Sequence, residues 1–296
     1  MTLLFGAGGQ LGRELVRSSA ARAVPLVALS RADADIADQA AVHSALGRHV
    51  PSLVVNAAAF TKVDAAENET EAAQRGNELG PAVLAAACAA IDVPIIHIST
   101  DYVFDGSKAG PYLEDDPIAP INAYGRTKAA GEHAVRATAR KHVILRTSWV
   151  YGEFGQNFLK TMLRLTATRD ELRVVADQQG CPTSTADLAA AILSIAPRLM
   201  ANENVWGTYH YAGGGVTTWH GFASRIVATQ APITGRAPRV IPISTRDYPT
   251  SAKRPANSVL DCGKFARTFG FSGRPWAEEA DRITRALVLA EERHVA

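Results

Sequence analysis

Short apolar runs alternate with longer amphipathic or alanine-rich segments along the first half of the chain. The apolar runs are TLLFG, PLVALS, SLVVNAAA and PIIHIST, and the segments between them are LGRELVRSSA, QAAVHSALGRHV and NELGPAVLAAACAAI. Continuous apolar strands separated by helix-length segments are typical of a parallel sheet that helices cover on both faces. A further helix is predicted over AYGRTKAAGEHAVRATARK, and a strand over HVILRTSWVY. The pattern therefore predicts an α/β fold with a doubly wound parallel sheet.

The alternation ends near residue 150. Beyond it, segments rich in Pro, Gly and aromatic residues, such as ADQQGCPTS and WGTYHYAGGGVTTWHGF, separate shorter helices and strands. We therefore expect two units: residues 1–150 form the sheet domain, and residues 151–296 form a smaller C-terminal lobe that binds the substrate and is partly interleaved with the sheet.

Composition excludes several classes of protein. The 296 residues are 47% hydrophobic and 20% charged, which suits a globular domain with a large core. The net charge is +2 with scattered Lys and Arg, so neither nucleic acid nor a membrane is expected as a partner, whereas an anionic small molecule is. Cys88, Cys181 and Cys262 have neither disulfide nor metal-site spacing. With no signal peptide or apolar span visible, a cytoplasmic location is expected.

A glycine-rich turn follows the first predicted strand. GAGGQLG places Gly6, Gly9 and Gly12 three residues apart at the entrance to the first helix. Glycine there lets the backbone approach a pyrophosphate, and the helix N-terminus offers free N–H groups, including those of Gln10 and Leu11. A turn without a ligand is the alternative, but its place at the first strand–helix junction favours a Rossmann-type dinucleotide site.

The end of the second predicted strand bears on the choice of cofactor. A carboxylate directly after it would favour the ribose diol of NAD, but Ser30 and Arg31 stand there. An arginine can bind the 2′-phosphate of NADP through paired hydrogen bonds, although an exposed surface arginine is the simpler interpretation. The hypothesis is that NADPH is preferred and that NADH is tolerated.

Two further motifs carry groups suited to proton transfer. STDYVFDG places Thr100 at the mouth of the fourth strand, and AYGRTK places Tyr124 and Lys128 four residues apart, on one face of a helix. A phenol titrates near ~10, and a nearby ammonium would lower its pKa toward the working range. The Thr100 hydroxyl could stabilise an oxyanion. Together these groups predict reduction of a ketone by hydride from a nicotinamide.

The glycine turn with Thr100, Tyr124 and Lys128 resembles the extended branch of the short-chain dehydrogenase/reductase family. A closer likeness, to its deoxysugar-nucleotide reductases, runs nearly end to end through NAAAFTKVDAAE, STDYVFDG, AYGRTKAAGE, RTSWVYG, NFLKTMLRL, DQQGCPTS, GTYHYAGGGVTTWHGFA and YPTSAKRPANSVLD. The resemblance implies that NADPH reduces the C4 ketone of a dTDP-6-deoxy-L-lyxo-4-hexulose, giving dTDP-L-rhamnose.

The resemblance also implies roles for further residues. Thr100, Asp101, Trp149 and Arg254 would contact the substrate, and the cofactor would be lined by Asp35, Ile36, Ala58, Ala59, Thr61 and Ile98 as well as by Tyr124 and Lys128. Each substrate residue has a simpler interpretation: a turn cap for Asp101, core packing for Trp149 and a solvated loop charge for Arg254.

Departures from the family pattern narrow the function. Tyr102 stands where related dehydratases carry the glutamate that eliminates water, so dehydration is not expected. Some members bind magnesium at a dimer interface; Glu14 matches one ligand, but Ala186 and Asp187 occupy the second place, so no metal site is predicted and a homodimer is left open. The alternatives are another sugar-nucleotide epimerase or reductase, and a non-catalytic dinucleotide-binding regulatory subunit, for which the Thr–Tyr–Lys set has no use.

Overall fold

The structure, a computed structural model, describes residues 1–295. Its strands are β1 (Thr2–Phe5), β2 (Leu26–Leu29), β3 (Leu53–Asn56), β4 (Ile95–Thr100), β5 (His142–Thr147), β6 (Val150–Tyr151), β7 (Glu171–Val175), β8 (Gln179–Gly180), β9 (Thr183–Ser184), β10 (Gly207–His210), β11 (Thr217–Thr218) and β12 (Arg239–Ile243). Its helices are α1 (Gln10–Ala21), α2 (Gln39–His49), α3 (Thr70–Gln74), α4 (Gly80–Ala90), α5 (Ala123–Thr138), α6 (Phe158–Thr166), α7 (Thr185–Met200), α8 (Trp219–Thr234), α9 (Gly263–Phe269) and α10 (Trp276–Val295). A π-helical turn, Arg75–Leu79, joins α3 to α4.

Six parallel strands form the central sheet in the spatial order β2-β1-β3-β4-β5-β10. The order reverses between β1 and β3, which is the crevice where such sheets bind ligands. Strand β10 comes from the second half of the chain and pairs with β5 in register from Gly207 opposite Val143 to His210 opposite Arg146. The predicted doubly wound parallel sheet is confirmed.

Alternate residues of the central strands enter two separate cores. Leu4 and Val55 face one core, where α1 and α7 cover the sheet, and Leu3 and Val54 face the other, where α2, α4 and α5 cover it. Because both faces are buried, the strands are continuously apolar, as the sequence pattern indicated.

The second half of the chain builds a further core beside the carboxyl ends of the strands. Helices α6, α8 and α10 pack with β7 and β12 around Tyr151, Phe222 and Trp276. No helix among residues 1–295 combines the length and apolar character needed to cross a membrane. The core around Tyr151, Phe222 and Trp276 is separate from the two cores that cover the faces of the sheet.

Candidate active site

The glycine turn leaves the start of α1 open. The N–H groups of Gly6 and Ala7 both donate to the Leu29 carbonyl at 3.0 Å, and Gly9 precedes α1 without any side-chain cap. Gly6 has φ +92°, and a Cβ on Gly12 would collide with the Gly6 carbonyl oxygen, so both positions require glycine. Exposed Gly9 and the free first N–H groups of α1 fit a dinucleotide pyrophosphate.

The next residues of the turn face in different directions. The Gln10 side chain donates to the Val150 carbonyl at 3.3 Å, so it bridges α1 to the strand that follows β5. Leu11 is buried in the core under α1 and can offer only its main chain.

The end of β2 holds a carboxylate that its immediate sequence does not indicate. Asp33 folds back so that its Oδ2 accepts from the Ser30 N–H at 2.8 Å and from the Ser30 hydroxyl at 2.6 Å. These bonds lower the pKa of Asp33, which keeps its charge at neutral pH. The Arg31 side chain is 82% exposed and lies 3.6 Å from Asp35. The strand end therefore carries both signs of charge rather than the single guanidinium expected.

Further residues named from the sequence lie along the same edge of the sheet. Asp35 receives a second guanidinium, that of Arg75, at 3.1 Å, and Ile36 is buried. The Ala58 N–H donates to Asn56 beyond β3, while Ala59 and Thr61 are exposed on the segment that follows. Ile98 lies within β4. The glycine turn and the ends of β2 and β3 lie side by side, because Phe5 at the end of β1 pairs with Leu29 and Asn56.

Thr100 and Tyr124 meet where β4 ends against α5, and Lys128 follows one helical turn further along α5. The Thr100 hydroxyl donates to Asp101 at 2.9 Å, and the Tyr124 ring packs edge-on against Tyr102, with centroids 5.8 Å apart. The Lys128 ammonium is buried and donates to the Ile98 carbonyl at 2.6 Å. The one-face arrangement of Tyr124 and Lys128 follows from their spacing on α5, which begins after the side chain of Asn122 accepts from Gly125 N–H at 2.7 Å.

The acidity of the phenol differs from the expectation. Burial raises the pKa of Tyr124 to about 12; the hydrogen bond with Thr100 opposes this shift and the charge of Asp101 adds to it. Burial also lowers the pKa of Lys128 to about 8, against the charge of Glu132. The expected fall of the phenol pKa is therefore wrong for the protein alone, because burial of the phenol outweighs the groups that would lower its pKa.

Asp101 is a buried acid beside Thr100. Only 2% of the residue is exposed. Burial raises its pKa to about 7, against hydrogen bonds from Ser258 and Thr100. The side chain can therefore exist in either protonation state near neutral pH.

Trp149 and Arg254 both have protein partners. The Trp149 ring stacks on Trp219 and its Nε1–H donates to Ser258 at 3.2 Å. Arg254 forms a bidentate pair with Asp64, with both N–O distances 2.6 Å. The Arg254–Asp64 pair ties the loop after β12 to the segment after β3.

The residues that matched a magnesium site are otherwise engaged. The Glu14 carboxylate accepts from Arg17 at 2.7 Å and from Ser18 at 3.1 Å, and Asp187 accepts from the Arg274 N–H at 2.9 Å. Among the side chains that the structure describes, those of residues 1–291, no group of three or more His, Cys, Asp or Glu is placed to hold a metal ion. The Glu14 and Asp187 carboxylates are both held by partners within the chain.

Sequence reasoning missed five residues around this site. Asp33, Asp64, Arg75, Glu132 and Trp219 each contact a residue named above or its support. Glu132 alone had a usable signal, since it follows Lys128 by four residues in AYGRTKAAGE. The remaining contacts join distant segments or depend on how a turn folds.

The parallel sheet, the glycine turn and the cluster at the end of β4 define an α/β protein of the dinucleotide-binding class. The family model of the RmlD substrate binding domain matches residues 1–288, and the chain belongs to this family. The dTDP-4-dehydrorhamnose reductase of Sinorhizobium fredii (strain NBRC 101917 / NGR234) is 45% identical over 286 residues, which are 96% of each chain.

Two solved structures are similar over nearly their whole length. A dTDP-4-dehydrorhamnose reductase from Clostridium acetobutylicum has a TM-score of 0.89 at 40% identity, covering 97% of this chain and 99% of its own. The Bacillus anthracis dTDP-4-dehydrorhamnose reductase in complex with NADP has a TM-score of 0.86 at 35% identity, covering 95% of this chain and 97% of its own.

Proposed function

We propose that the protein reduces the C4 ketone of dTDP-4-dehydro-L-rhamnose to dTDP-L-rhamnose with NADPH. It is an NAD(P)H-dependent oxidoreductase whose relatives of about 45% identity are dTDP-4-dehydrorhamnose reductases, one similar structure being in complex with NADP. The observation that supports the assignment is the contact between Thr100 and Tyr124 at the end of β4, with Lys128 one helical turn further along α5.

The cofactor would lie along the carboxyl edge of the sheet. Gly6, Gly9 and Gly12, with the N–H groups of Gln10 and Leu11, would hold its pyrophosphate, while Arg31 would contact the 2′-phosphate. The other lining residues are Ser30, Asp35, Ile36, Ala58, Ala59, Thr61, Ile98, Tyr124 and Lys128. NADPH, when bound, supplies the hydride that reduces the ketone.

The chain's own residues supply the proton. Because the pKa of Tyr124 is about 12, the phenol is protonated at neutral pH, which is the form that a general acid requires. It would protonate the C4 oxygen, with Thr100 donating a hydrogen bond to that oxygen and the Lys128 charge stabilising the phenolate left behind. Asp101, Trp149 and Arg254 would contact the sugar nucleotide; Arg254 would keep part of its guanidinium for a diphosphate while bound to Asp64.

The proposal also covers the two units of the chain and the location of the protein in the cell. Residues 1–150 would bind the cofactor and residues 151–296 the sugar nucleotide. The free thiols of Cys88, Cys181 and Cys262 suit a reducing cytoplasm. We infer neither a nucleic-acid partner nor a resident metal, and a homodimer would be tested by light scattering with and without magnesium.

The test follows reduced-nicotinamide absorbance with the dTDP-4-keto-L-sugar generated in situ. Wild type should consume NADPH in proportion to sugar reduced, whereas Tyr124→Phe, which keeps the ring and loses the proton, should be slower by about two to four orders of magnitude. Tyr209→Phe, which loses only a hydroxyl that donates to Val205 at the far edge of the sheet, is the matched control. A Tyr124→Phe enzyme as fast as wild type would exclude Tyr124 as the acid, and sugar conversion without net NADPH loss would indicate an epimerase.

A further inference from the structure

Helix α5 presents four ionisable side chains at four-residue intervals on one face. They are Tyr124, Lys128, Glu132 and Arg136, and the face packs against β4. Tyr124 and Lys128 belong to the proposed reaction centre. The function proposed above gives no task to Glu132, although it is a fully buried carboxylate one helical turn beyond the lysine.

The Glu132 carboxylate is held by three side chains. Its Oε1 accepts from the Ser99 hydroxyl at 2.6 Å and from Arg146 Nε at 2.9 Å, and its Oε2 accepts from Arg146 Nη2 at 2.8 Å and Arg136 Nη1 at 3.0 Å. Burial alone would raise the pKa of Glu132, but the bonds from Arg146 and the others lower it to about 2. Glu132 is therefore a fixed negative charge at every working pH.

The same strand that anchors Glu132 also anchors Lys128. Lys128 donates to the carbonyl of Ile98, and the next residue of β4, Ser99, donates to Glu132. Burial works against the ammonium and lowers the pKa of Lys128, whereas the Glu132 charge acts in the opposite direction. An uncompensated ammonium in this position would be unstable, because a buried charge needs a partner.

We propose that Glu132 is a positioning residue. It holds Ser99, the residue of β4 that follows the Ile98 carbonyl bound by Lys128, and so fixes where the Lys128 ammonium lies during the reduction. This inference rests on the proposed function, since it assigns a task within that reaction centre. Glu132 touches neither substrate nor cofactor in this assignment and acts only through Lys128.

The other ionisable groups around the pair do not replace Glu132. Burial lowers the pKa of His97 well below its usual value and that of His210 to about 3, and it also lowers the pKa of His142, so these rings are neutral at pH 7 and above. The turn before α4 contributes the neutral amide of Asn77. The charged and titratable groups facing the pair from α5, β4, β5 and β10 are Tyr124, Arg136, His97, His142, Arg146 and His210.

The first test is the pH profile of kcat/KM for Glu132→Gln, which keeps the size of the side chain and removes its charge. Lys128 should then lose its proton at lower pH, so the fall of activity on the basic side should move down by about one pH unit. A merely structural ion pair would lower thermal stability and leave this part of the profile in place.

A second variant keeps the test valid if Glu132→Gln fails to fold. Glu132→Met combined with Arg146→Met removes both members of the buried pair, a replacement that is often neutral for stability. Because Glu132 is one helical turn from Lys128 on α5, whereas Arg146 reaches the carboxylate from β5, the loss of the Glu132 charge should dominate and the basic side of the profile should still move down. Glu279→Gln, which breaks a buried carboxylate–arginine cluster in the second half of the chain, is the matched control and should leave the profile unchanged.

The outcomes separate this inference from the proposed function. Wild type that oxidises NADPH, together with folded variants whose profile equals that of wild type, would overturn the role of Glu132 and leave the reductase intact. Wild type that oxidises no NADPH with the dTDP-4-keto sugar would overturn the proposed function itself. A downward shift in either Glu132 variant, without one in Glu279→Gln, supports the role.

Discussion

The indole of Trp149 lies face to face on the indole of Trp219, with ring centroids 3.6 Å apart and planes 5° from parallel. Trp149 has φ +47°, in the left-handed region that costs free energy for any residue with a Cβ. The stack and the hydrogen bond to Ser258 hold the side chain in place despite this backbone. The pair forms a rigid aromatic wall between the end of β5 and the start of α8.

Loss of this stack should weaken sugar-nucleotide binding. In Trp219→Leu, an apolar side chain remains but Trp149 loses its stacking partner. An aromatic pair of this kind contributes about 0.5–1.5 kcal/mol in addition to the free energy from the surface area that it buries. We expect KM for the sugar nucleotide to rise by about three- to tenfold, with affinity for NADPH unchanged. Steady-state kinetics with varied sugar, and NADPH fluorescence titration, measure the two effects.

The matched control for the tryptophan stack lies in the other aromatic cluster. Phe269 packs on Tyr209 with centroids 5.0 Å apart, on the outer side of the sheet domain. Phe269→Leu should lower stability without a change in either constant. An unchanged KM in Trp219→Leu would show that Trp149 does not contact the substrate.

Arg31 and Asp33 should have opposite effects on the choice of cofactor. Arg31→Gln removes the guanidinium available to a 2′-phosphate, and Asp33→Asn removes a charge that repels it. We expect the ratio of NADPH to NADH affinity to fall by about fivefold in the first and to rise by about fivefold in the second, the scale of one exposed charge interaction. Fluorescence titration of each cofactor, without sugar, gives both ratios.

Asp92→Asn serves as the control for the two charge changes. Asp92 is an exposed acid at the opposite edge of the sheet, where it pairs with Lys141. Equal changes in NADPH and NADH affinity would contradict a role for Arg31 or Asp33 in discrimination, and so would no change in either.

Asp101 should make stability depend on pH. Its folded pKa, about 7, lies above the usual 3.8, so the protonated form favours the folded state. The stabilisation is complete below the pKa of the unfolded chain and is lost as pH rises through about 7. Each unit of difference between the folded and unfolded pKa values corresponds to about 1.4 kcal/mol. Asp101→Asn should therefore melt above wild type at pH 8.5, by a margin that shrinks toward pH 4. A margin independent of pH would contradict the buried acid.

A side chain at Gly12 in the glycine turn should lower stability. A Cβ at Gly12 meets the backbone of Gly6 and Ala7, which cannot move aside, so Gly12→Ala should lower the free energy of unfolding by about 2–4 kcal/mol and abolish NADPH binding. Gly47 on α2 has open space around it. Gly47→Ala should change the free energy of unfolding by no more than about 0.5–1 kcal/mol and leave NADPH binding intact. Denaturant melts with and without NADPH test both variants.

Local sequence patterns predict the fold and part of the site. The parallel sheet follows from apolar runs of strand length, and the open start of α1 from glycines at fixed spacing. The shared face of Tyr124 and Lys128 follows from the helical repeat. These features depend on residues close in sequence, so a single chain contains the information.

Other features of the site depend on contacts that no local pattern encodes. Arg254 and Asp64 are 190 residues apart, and Trp149 meets Trp219 only after α8 packs. The pKa of Tyr124 was mispredicted because spacing gives the face of a helix and not the depth at which the phenol is buried. Asp33 was missed because its carboxylate reaches Ser30 through a turn rather than a strand.

Strand β10 lies about 60 residues after β5 in the sequence but pairs with it in the sheet, and this limits where the chain can be divided. A fragment ending at residue 150 would leave the outer edge of β5 unpaired and the apolar side of α1 bare, because β10 and α7 come from downstream. Residues 1–150 therefore do not contain every element that packs on the sheet. A chimaera of two relatives joined at residue 150 would therefore mismatch these contacts. Residues 185–210, which include α7 and β10, should come from the same relative as residues 1–150.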